Sequence, residues 1–300
     1  MNELDAAGIT DPALRASYTE CKRLNSLHGK TYYLATLLLP PAKRPHVHAL
    51  YGFARYADEI VDDLASTLSQ EEKAAALHTW GNGVLKDLRA GTSHDHIGAA
   101  LVDTVNRFHI PIEHFEAFLH SMTMDLTVGE YQTYDDLMEY VYGSASVIGL
   151  QMVPILGVLD ESAYEAAEKL GTAFQLANFI RDIGEDLERG RVYLPIEELT
   201  AAGVTSDMLE ERIVTPQIRA ALTFQIERVR RLQREATPGI QMLAPESRAC
   251  IEAASELYCG IVDEVEKIDY QIFDKRAVTS TWRRVKVALP ALIRARKARH

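Results

Sequence analysis

The sequence predicts an all-α fold, and two observations carry that prediction. Helix-start signatures recur along the chain, and apolar residues return at intervals of three and four rather than two, as at Phe115, Phe118, Leu119 and Met122. Strand-like alternation is almost absent. With 300 residues, 47% of them hydrophobic, the chain is long enough to bury a large core and short enough to remain one helical domain over residues 1–300.

The helix starts are specific. Ser69 with Glu72, Thr133 with Asp136 and Ser162 with Glu165 match the capping box, in which hydroxyl and carboxylate each bind the other residue's amide. Thr215 places a cap before Pro216, whose missing N–H costs nothing in a first turn. Breaks are expected at Pro40-Pro41, Gly91, Gly190, Gly203, Pro238-Gly239 and Pro245, with no Ser/Gly-rich linker between domains.

Composition excludes several functions. A net charge of -11 and a pI near 5.4 repel nucleic acid, so any anionic ligand must be held locally. Cys21, Cys250 and Cys259 have neither metal-site spacing nor the density of a disulfide scaffold, and are expected in the core. Met1 to Thr10 carries Glu3 and Asp5 without an apolar run, unlike a signal or transit peptide, so a cytoplasmic setting is expected. Val147 to Leu159, the longest apolar stretch, is broken by Gln151 and Pro154 and falls short of the roughly 20 residues that span a bilayer.

The chemistry is concentrated in two acidic patterns. In the first, Tyr51, Arg55, Asp58 and Asp62 are spaced by four, three and four, one stripe of a helix. In the second, Gln175, Asn178, Asp182 and Asp186 are spaced by three, four and four, and Phe174, Leu176, Ala177, Phe179, Ile180, Ile183 and Leu187 cover the rest of that helix. A helix so apolar belongs inside, where a carboxylate stays ionised only against positive charge or strong hydrogen bonds. Arg55 and Arg181 are too few to neutralise both stripes. A divalent cation meets the need, and a set of Asp and Asn oxygens without Cys or paired His favours Mg²⁺ over Zn²⁺. Facing stripes would leave open metal positions for a diphosphate. One D-x-x-x-D alone reads equally well as a solvated helix face; two, each extended in register by polar neighbours, do not.

The segment from Gln175 to Pro195 resembles the second signature of the squalene and phytoene synthase family, and Tyr51 to Asp62 resembles the first. His28 to Tyr33 with Leu39-Pro40, Tyr140 to Gly143, and Tyr258 to Tyr270 extend the resemblance over nearly the whole chain. It implies a helical bundle around a central hydrophobic cavity, with Mg²⁺, or Mn²⁺ in its place, on Asp58, Asp62, Asn178, Asp182 and Asp186. Gln175 would line the site, and His28, Gly29, Lys30, Thr31, Tyr51, Arg55, Arg181 and Tyr258 would contact prenyl diphosphate. Gly29, Lys30 and Thr31 depart from the serines of many relatives, and Lys275-Arg276 leaves the late basic contact ambiguous by one position.

The activity so implied is head-to-head condensation of two prenyl diphosphates. Met124 to Val128 and Tyr142 to Gly149 look most similar to bacterial phytoene synthases, which implies geranylgeranyl diphosphate, a cyclopropyl diphosphate intermediate, phytoene as product, a place in carotenoid biosynthesis, and no NADPH. The alternatives are squalene or dehydrosqualene synthesis from farnesyl diphosphate, a terpene cyclase or chain-elongating prenyltransferase, and a non-catalytic scaffold relative. Tyr32, Tyr51, Tyr140 and Phe174 are candidates to line a dry cavity that tolerates carbocations, against ordinary core packing. Arg191 and Tyr193 belong either to a loop closing over the site or to a plain helix end at Gly190. The chain is expected to be a monomer or weak dimer. Residues 282–300 interleave seven Lys and Arg with Val and Leu, a basic tail that either contacts anionic lipid at the membrane periphery or is simply solvated.

Overall fold

The computed structural model describes residues 2–62 and 68–299, and among them the only strand-like pairings are two isolated bridges, Glu130 to Val192 and Val158 to Leu243. The chain begins with α1 (Glu3–Ala6), α2 (Pro12–His28), α3 (Lys30–Thr36) and α4 (Arg44–Asp62). Next come α5 (Gln70–Ala90), α6 (Gly98–Phe108), α7 (Glu113–Thr127) and α8 (Tyr134–Val141), which runs through a π-helical turn, Tyr142–Ser146, into α9 (Val147–Leu156). The longest helix, α10 (Ser162–Glu188), is followed by α11 (Ile196–Ala201), α12 (Ser206–Glu210) and α13 (Pro216–Ala236). The last are α14 (Pro245–Cys259), α15 (Ile261–Lys267) and α16 (Thr281–Lys297).

Ser69 and Thr133 form complete capping boxes, their hydroxyls 3.2 and 3.1 Å from the Glu72 and Asp136 amides. Thr215 accepts from the Ile218 amide at 3.2 Å, with Pro216 in the first turn. Ser162 corrects the expectation: it is the first residue of α10 rather than its cap. Its amide and hydroxyl both bind the Asp160 carboxylate, at 2.9 and 2.6 Å, a charged acceptor that outcompetes the arrangement with Glu165. All three cysteines are buried and free. No helix of the described residues is long and apolar enough to cross a membrane.

Two clusters of buried side chains form the core. One gathers residues of α3 to α7, α9, α14 and α16; the other gathers α8, α10, α13 and α15. An apolar cavity of about 250 Å³ lies where they meet, lined by Met152 and Cys250 from the first cluster and Leu170 and Ala236 from the second. Its wall depends on two glycines. A Cβ on Gly143 would stand 2.1 Å from the Ala117 carbonyl oxygen, and one on Gly171 would stand 2.7 Å from that of Ala145. The π-helical turn is thus clasped backbone to backbone by α7 and α10, which sets Ser144 and Ala145 on the cavity wall.

Two buried histidines make the fold acid-sensitive. The Tyr18 hydroxyl donates to Asp103 at 2.6 Å and lies 3.0 Å from His46 Nδ1; His48 Nδ1 lies 2.9 Å from Asn25 Nδ2. Burial, aided by the charge of Arg107, lowers His46 to about 3; burial lowers His48 to about 4 against the opposing pull of Glu3. Both are neutral when folded and gain a proton on unfolding below their ordinary value of 6.5, so stability is full above that pH and falls as the pH drops toward 4. Each histidine is expected to contribute about 1.4 kcal/mol per pH unit inside that window. Urea unfolding at several pH values should show His46→Gln flattening the slope by one histidine's share; an unchanged slope would contradict the assignment.

Candidate functional site

Both acidic helices contribute to one polar cavity of about 380 Å³. From α4 come Tyr51, Arg55 and Asp58; from α10 come Gln175, Asn178, Arg181, Asp182 and Asp186. The helical period accounts for this, since each set recurs every three or four residues and falls on one face. Asp62 closes α4, and its side chain lies outside the described residues, as does Asp63. Gln175, Asn178 and Ser144 line the polar and the apolar cavity alike, so the two chambers adjoin there.

Arginines hold the aspartates. Arg55 Nη1 donates to Asp58 at 2.6 Å, and its Nε donates to Glu59 at 3.1 Å. Arg181 grips both oxygens of Asp182, its Nε at 2.7 Å, and Arg276 Nε donates to the same carboxylate at 3.0 Å. Of the pair Lys275-Arg276, it is Arg276 that reaches Asp182. The expectation that Arg55 and Arg181 are the few nearby cations is also corrected: Arg189 and Arg191 line the cavity as well. They follow α10 in a segment pinned by Val192 N to Gly129 O at 2.8 Å, so this stretch belongs to the site rather than being a plain helix end.

Burial, reinforced by the charge of Asp182, pushes the Asp186 carboxyl up to about 7. The buried Asn178 Oδ1 has no hydrogen-bond partner. An orphaned amide oxygen beside a carboxyl that resists ionisation suits a hard cation. Among the described residues, however, no three carboxylate, imidazole or thiol side chains stand close enough to hold a metal unaided. The oxygens present fit a cation that arrives with oxygen ligands of its own, as Mg²⁺ does with phosphate.

The remaining candidates sort by position. Tyr258 lines the apolar cavity and stacks on Phe174 at 4.9 Å, and Tyr32 lies on the same wall, 5.6 Å from Tyr51. Tyr140 lines the polar cavity, so all four proposed cavity aromatics reach one chamber or the other. His28, Gly29, Lys30 and Thr31 line neither. The chain breaks there between α2 and α3, and Gly29 packs beneath the Tyr51 ring, where a Cβ would be 2.7 Å from the ring. His28 Nε2 stands 3.8 Å from Glu59, which Arg55 also binds.

One residue had no role from sequence. Asp125 on α7 lines the polar cavity and accepts the hydroxyls of Tyr140 and Tyr193, both at 2.8 Å, while Arg191 Nη2 donates to its carbonyl at 2.9 Å. It ties the segment after α10 to the cavity wall. Its sequence stretch, Met124 to Val128, gave a likeness but no function.

A helical bundle with aspartates and arginines around one polar chamber that adjoins an apolar one has the shape and charge to receive a ligand with an anionic head and a long apolar tail. The squalene/phytoene synthase profile matches residues 26–283. The chain is 39% identical over 297 residues to the chloroplastic phytoene synthase of Daucus carota, covering 96% of this chain and 73% of that protein. It is 35% identical over 295 residues to 15-cis-phytoene synthase of Synechococcus elongatus, covering 94% of each. Among solved structures, a dehydrosqualene synthase in complex with ligand superposes with a TM-score of 0.85 at 27% identity, covering 95% of this chain and 98% of that one. A squalene synthase from Alicyclobacillus acidocaldarius gives 0.80 at 26%, covering 88% and 98%. The chain belongs to the squalene/phytoene synthase family, prenyltransferases that condense prenyl diphosphates head to head.

Proposed function

We propose that this chain condenses two molecules of geranylgeranyl diphosphate to phytoene through a cyclopropyl diphosphate, without NADPH. The observation that carries the reading is the junction of the two chambers at Gln175 and Asn178. A diphosphate placed among the arginines and aspartates can extend its prenyl chain past those residues into an apolar space. Phytoene synthases of 35 and 39% identity support geranylgeranyl diphosphate as the substrate.

Asp58, Asp62, Asn178, Asp182 and Asp186 would hold Mg²⁺, with Mn²⁺ able to replace it. When bound, the metal supplies positive charge to the oxygens of the departing diphosphate. Arg55 and Arg181, with Arg189 and Arg191, add fixed positive charge to the same oxygens as the allylic C–O bond breaks and its electron pair leaves with the diphosphate. The double bond of the second substrate then supplies the electrons for the new C–C bond; the cation so formed loses a proton as the cyclopropane ring closes, and departure of the second diphosphate, ring opening and loss of a further proton give phytoene. Tyr32, Phe174 and Tyr258 keep that step dry and present ring faces to positive charge. The product and both substrates partition into lipid, and peripheral contact with a membrane serves both supply and release.

The test is product analysis with geranylgeranyl or farnesyl diphosphate, each with and without NADPH. Phytoene from the longer substrate, unaffected by NADPH and lost on chelation of divalent metal, is the expected result. Squalene formed from farnesyl diphosphate with NADPH would overturn it. Dehydrosqualene is the second reading, favoured by the superposition on a dehydrosqualene synthase, and would appear from farnesyl diphosphate alone.

A further inference from the structure

Of the three residues that line the polar and the apolar chamber alike, Ser144 has been given no task. It stands in the middle of the π-helical turn Tyr142–Ser146, a rare backbone form found frequently at functional sites. Its place is fixed from both sides, by Gly143 against the Ala117 carbonyl and by Gly171 against that of Ala145. The Ser144 hydroxyl is buried and meets no hydrogen-bond partner among the described residues. That is unusual, because a hydroxyl on a helix ordinarily binds a carbonyl of the preceding turn. Thr36 does so on Tyr32 at 2.9 Å and Thr172 on Glu168 at 3.0 Å, and Ser146, two residues on, lies 3.1 Å from the Thr172 hydroxyl. A buried hydroxyl left unpaired is costly unless a ligand completes it.

We propose that Ser144 is a further catalytic residue, whose hydroxyl donates to the ester oxygen joining the diphosphate to the first carbon of the prenyl chain. The inference deepens the function proposed above and rests on it for the ligand. In a prenyl diphosphate that oxygen is where anionic head meets apolar tail, as the junction is where the two chambers meet. Arg55, Arg181, Arg189 and Arg191 line the polar chamber and not the apolar one, which suits them to the outer phosphate oxygens. Asn178 brings to the junction an unpartnered carbonyl oxygen, an acceptor that meets an oxyanion only through a cation. Ser144 comes from a separate element and can donate. As the C–O bond breaks, its electron pair stays on the ester oxygen, and the bond from Ser144 strengthens with that charge. The hydroxyl keeps its proton throughout, and the diphosphate leaves as an anion.

The test is rapid-quench measurement of pyrophosphate release by the full chain and by Ser144→Ala, with geranylgeranyl or farnesyl diphosphate in excess. The variant should release its first pyrophosphate about tenfold more slowly, with KM within about twofold of the parent's, because the hydrogen bond gains most once charge has developed. Its melting temperature should equal or exceed the parent's, since the change deletes an unpaired buried hydroxyl rather than a bond already made. A first-turnover rate within about twofold of the parent's would overturn the role; so would a raised KM at unchanged rate, which would put the hydroxyl on bound substrate and not on the breaking bond. Pyrophosphate is read apart from the hydrocarbon, so the two claims separate. Squalene or dehydrosqualene as product, with Ser144→Ala still slow, overturns the proposed reaction and upholds Ser144. Phytoene formed by parent and variant at equal rates does the reverse, and a parent that releases pyrophosphate from neither substrate overturns both.

Discussion

Asp182→Asn lowers kcat by about a thousandfold or more while the protein still unfolds cooperatively; this is the largest effect expected from any single substitution in the site. Asp182 is gripped by Arg181 through two N–H bonds and by Arg276 through a third. Its charge also helps to push Asp186 upward. Asparagine keeps the shape and removes the charge. Arg181 then loses its paired carboxylate, Arg276 keeps only Glu185 at 3.4 Å, and the proposed metal loses one of its anionic ligands. The unpaired, largely buried Arg181 costs some stability, so the melting temperature falls by a few degrees. Asp58→Asn should follow the same pattern more mildly, because Arg55 retains Glu59. Steady-state kinetics alongside thermal unfolding distinguishes lost chemistry from lost fold, and near-normal turnover in Asp182→Asn would count decisively against the proposed site.

The two acidic stripes were legible because the helical period alone converts a spacing of three and four into a shared face. Whatever reaches the cavity from elsewhere in the chain was harder to see. Arg276 lies 94 residues from the carboxylate it binds, and only tertiary packing separates it from Lys275 as the partner. Gly143 stood in a recognisable stretch, yet its reason, the Ala117 carbonyl 2.1 Å from where a Cβ would be, belongs to another helix. Ser162 misled because the competing acceptor, Asp160, lies upstream of the pattern that was matched. His28 to Thr31 entered through the family resemblance; in the structure they line neither chamber, and the break between α2 and α3 seats Gly29 under Tyr51. Charge balance was read too narrowly for the same reason: Arg189 and Arg191 are placed at the cavity by their link to α7, not by the helical period.

That link supplies the second large effect. Asp125→Ala is expected to cost about a hundredfold in kcat, with a smaller change in KM, because Asp125 positions other groups and need not touch the diphosphate. Its two carboxylate oxygens each accept one phenol, from Tyr140 and from Tyr193, and Tyr193 in turn stacks on Phe179 of α10 at 4.2 Å. Removing the carboxylate strands two buried hydroxyls, at about 1–3 kcal/mol each, and takes the Tyr193 anchor from the segment that carries Arg189 and Arg191, leaving it on the bonds to the backbone of Gly129 and residue 125. Asparagine provides one acceptor oxygen where two phenols donate, so Asp125→Asn should fall between the parent and the alanine variant, near a tenfold loss. A role confined to stability would lower the melting temperature in proportion to the lost bonds and leave kcat of the folded protein unchanged. The graded order in kcat, parent above asparagine above alanine, is what positioning predicts; equal kcat in all three would show that Tyr140, Tyr193 and Arg191 hold their places without it.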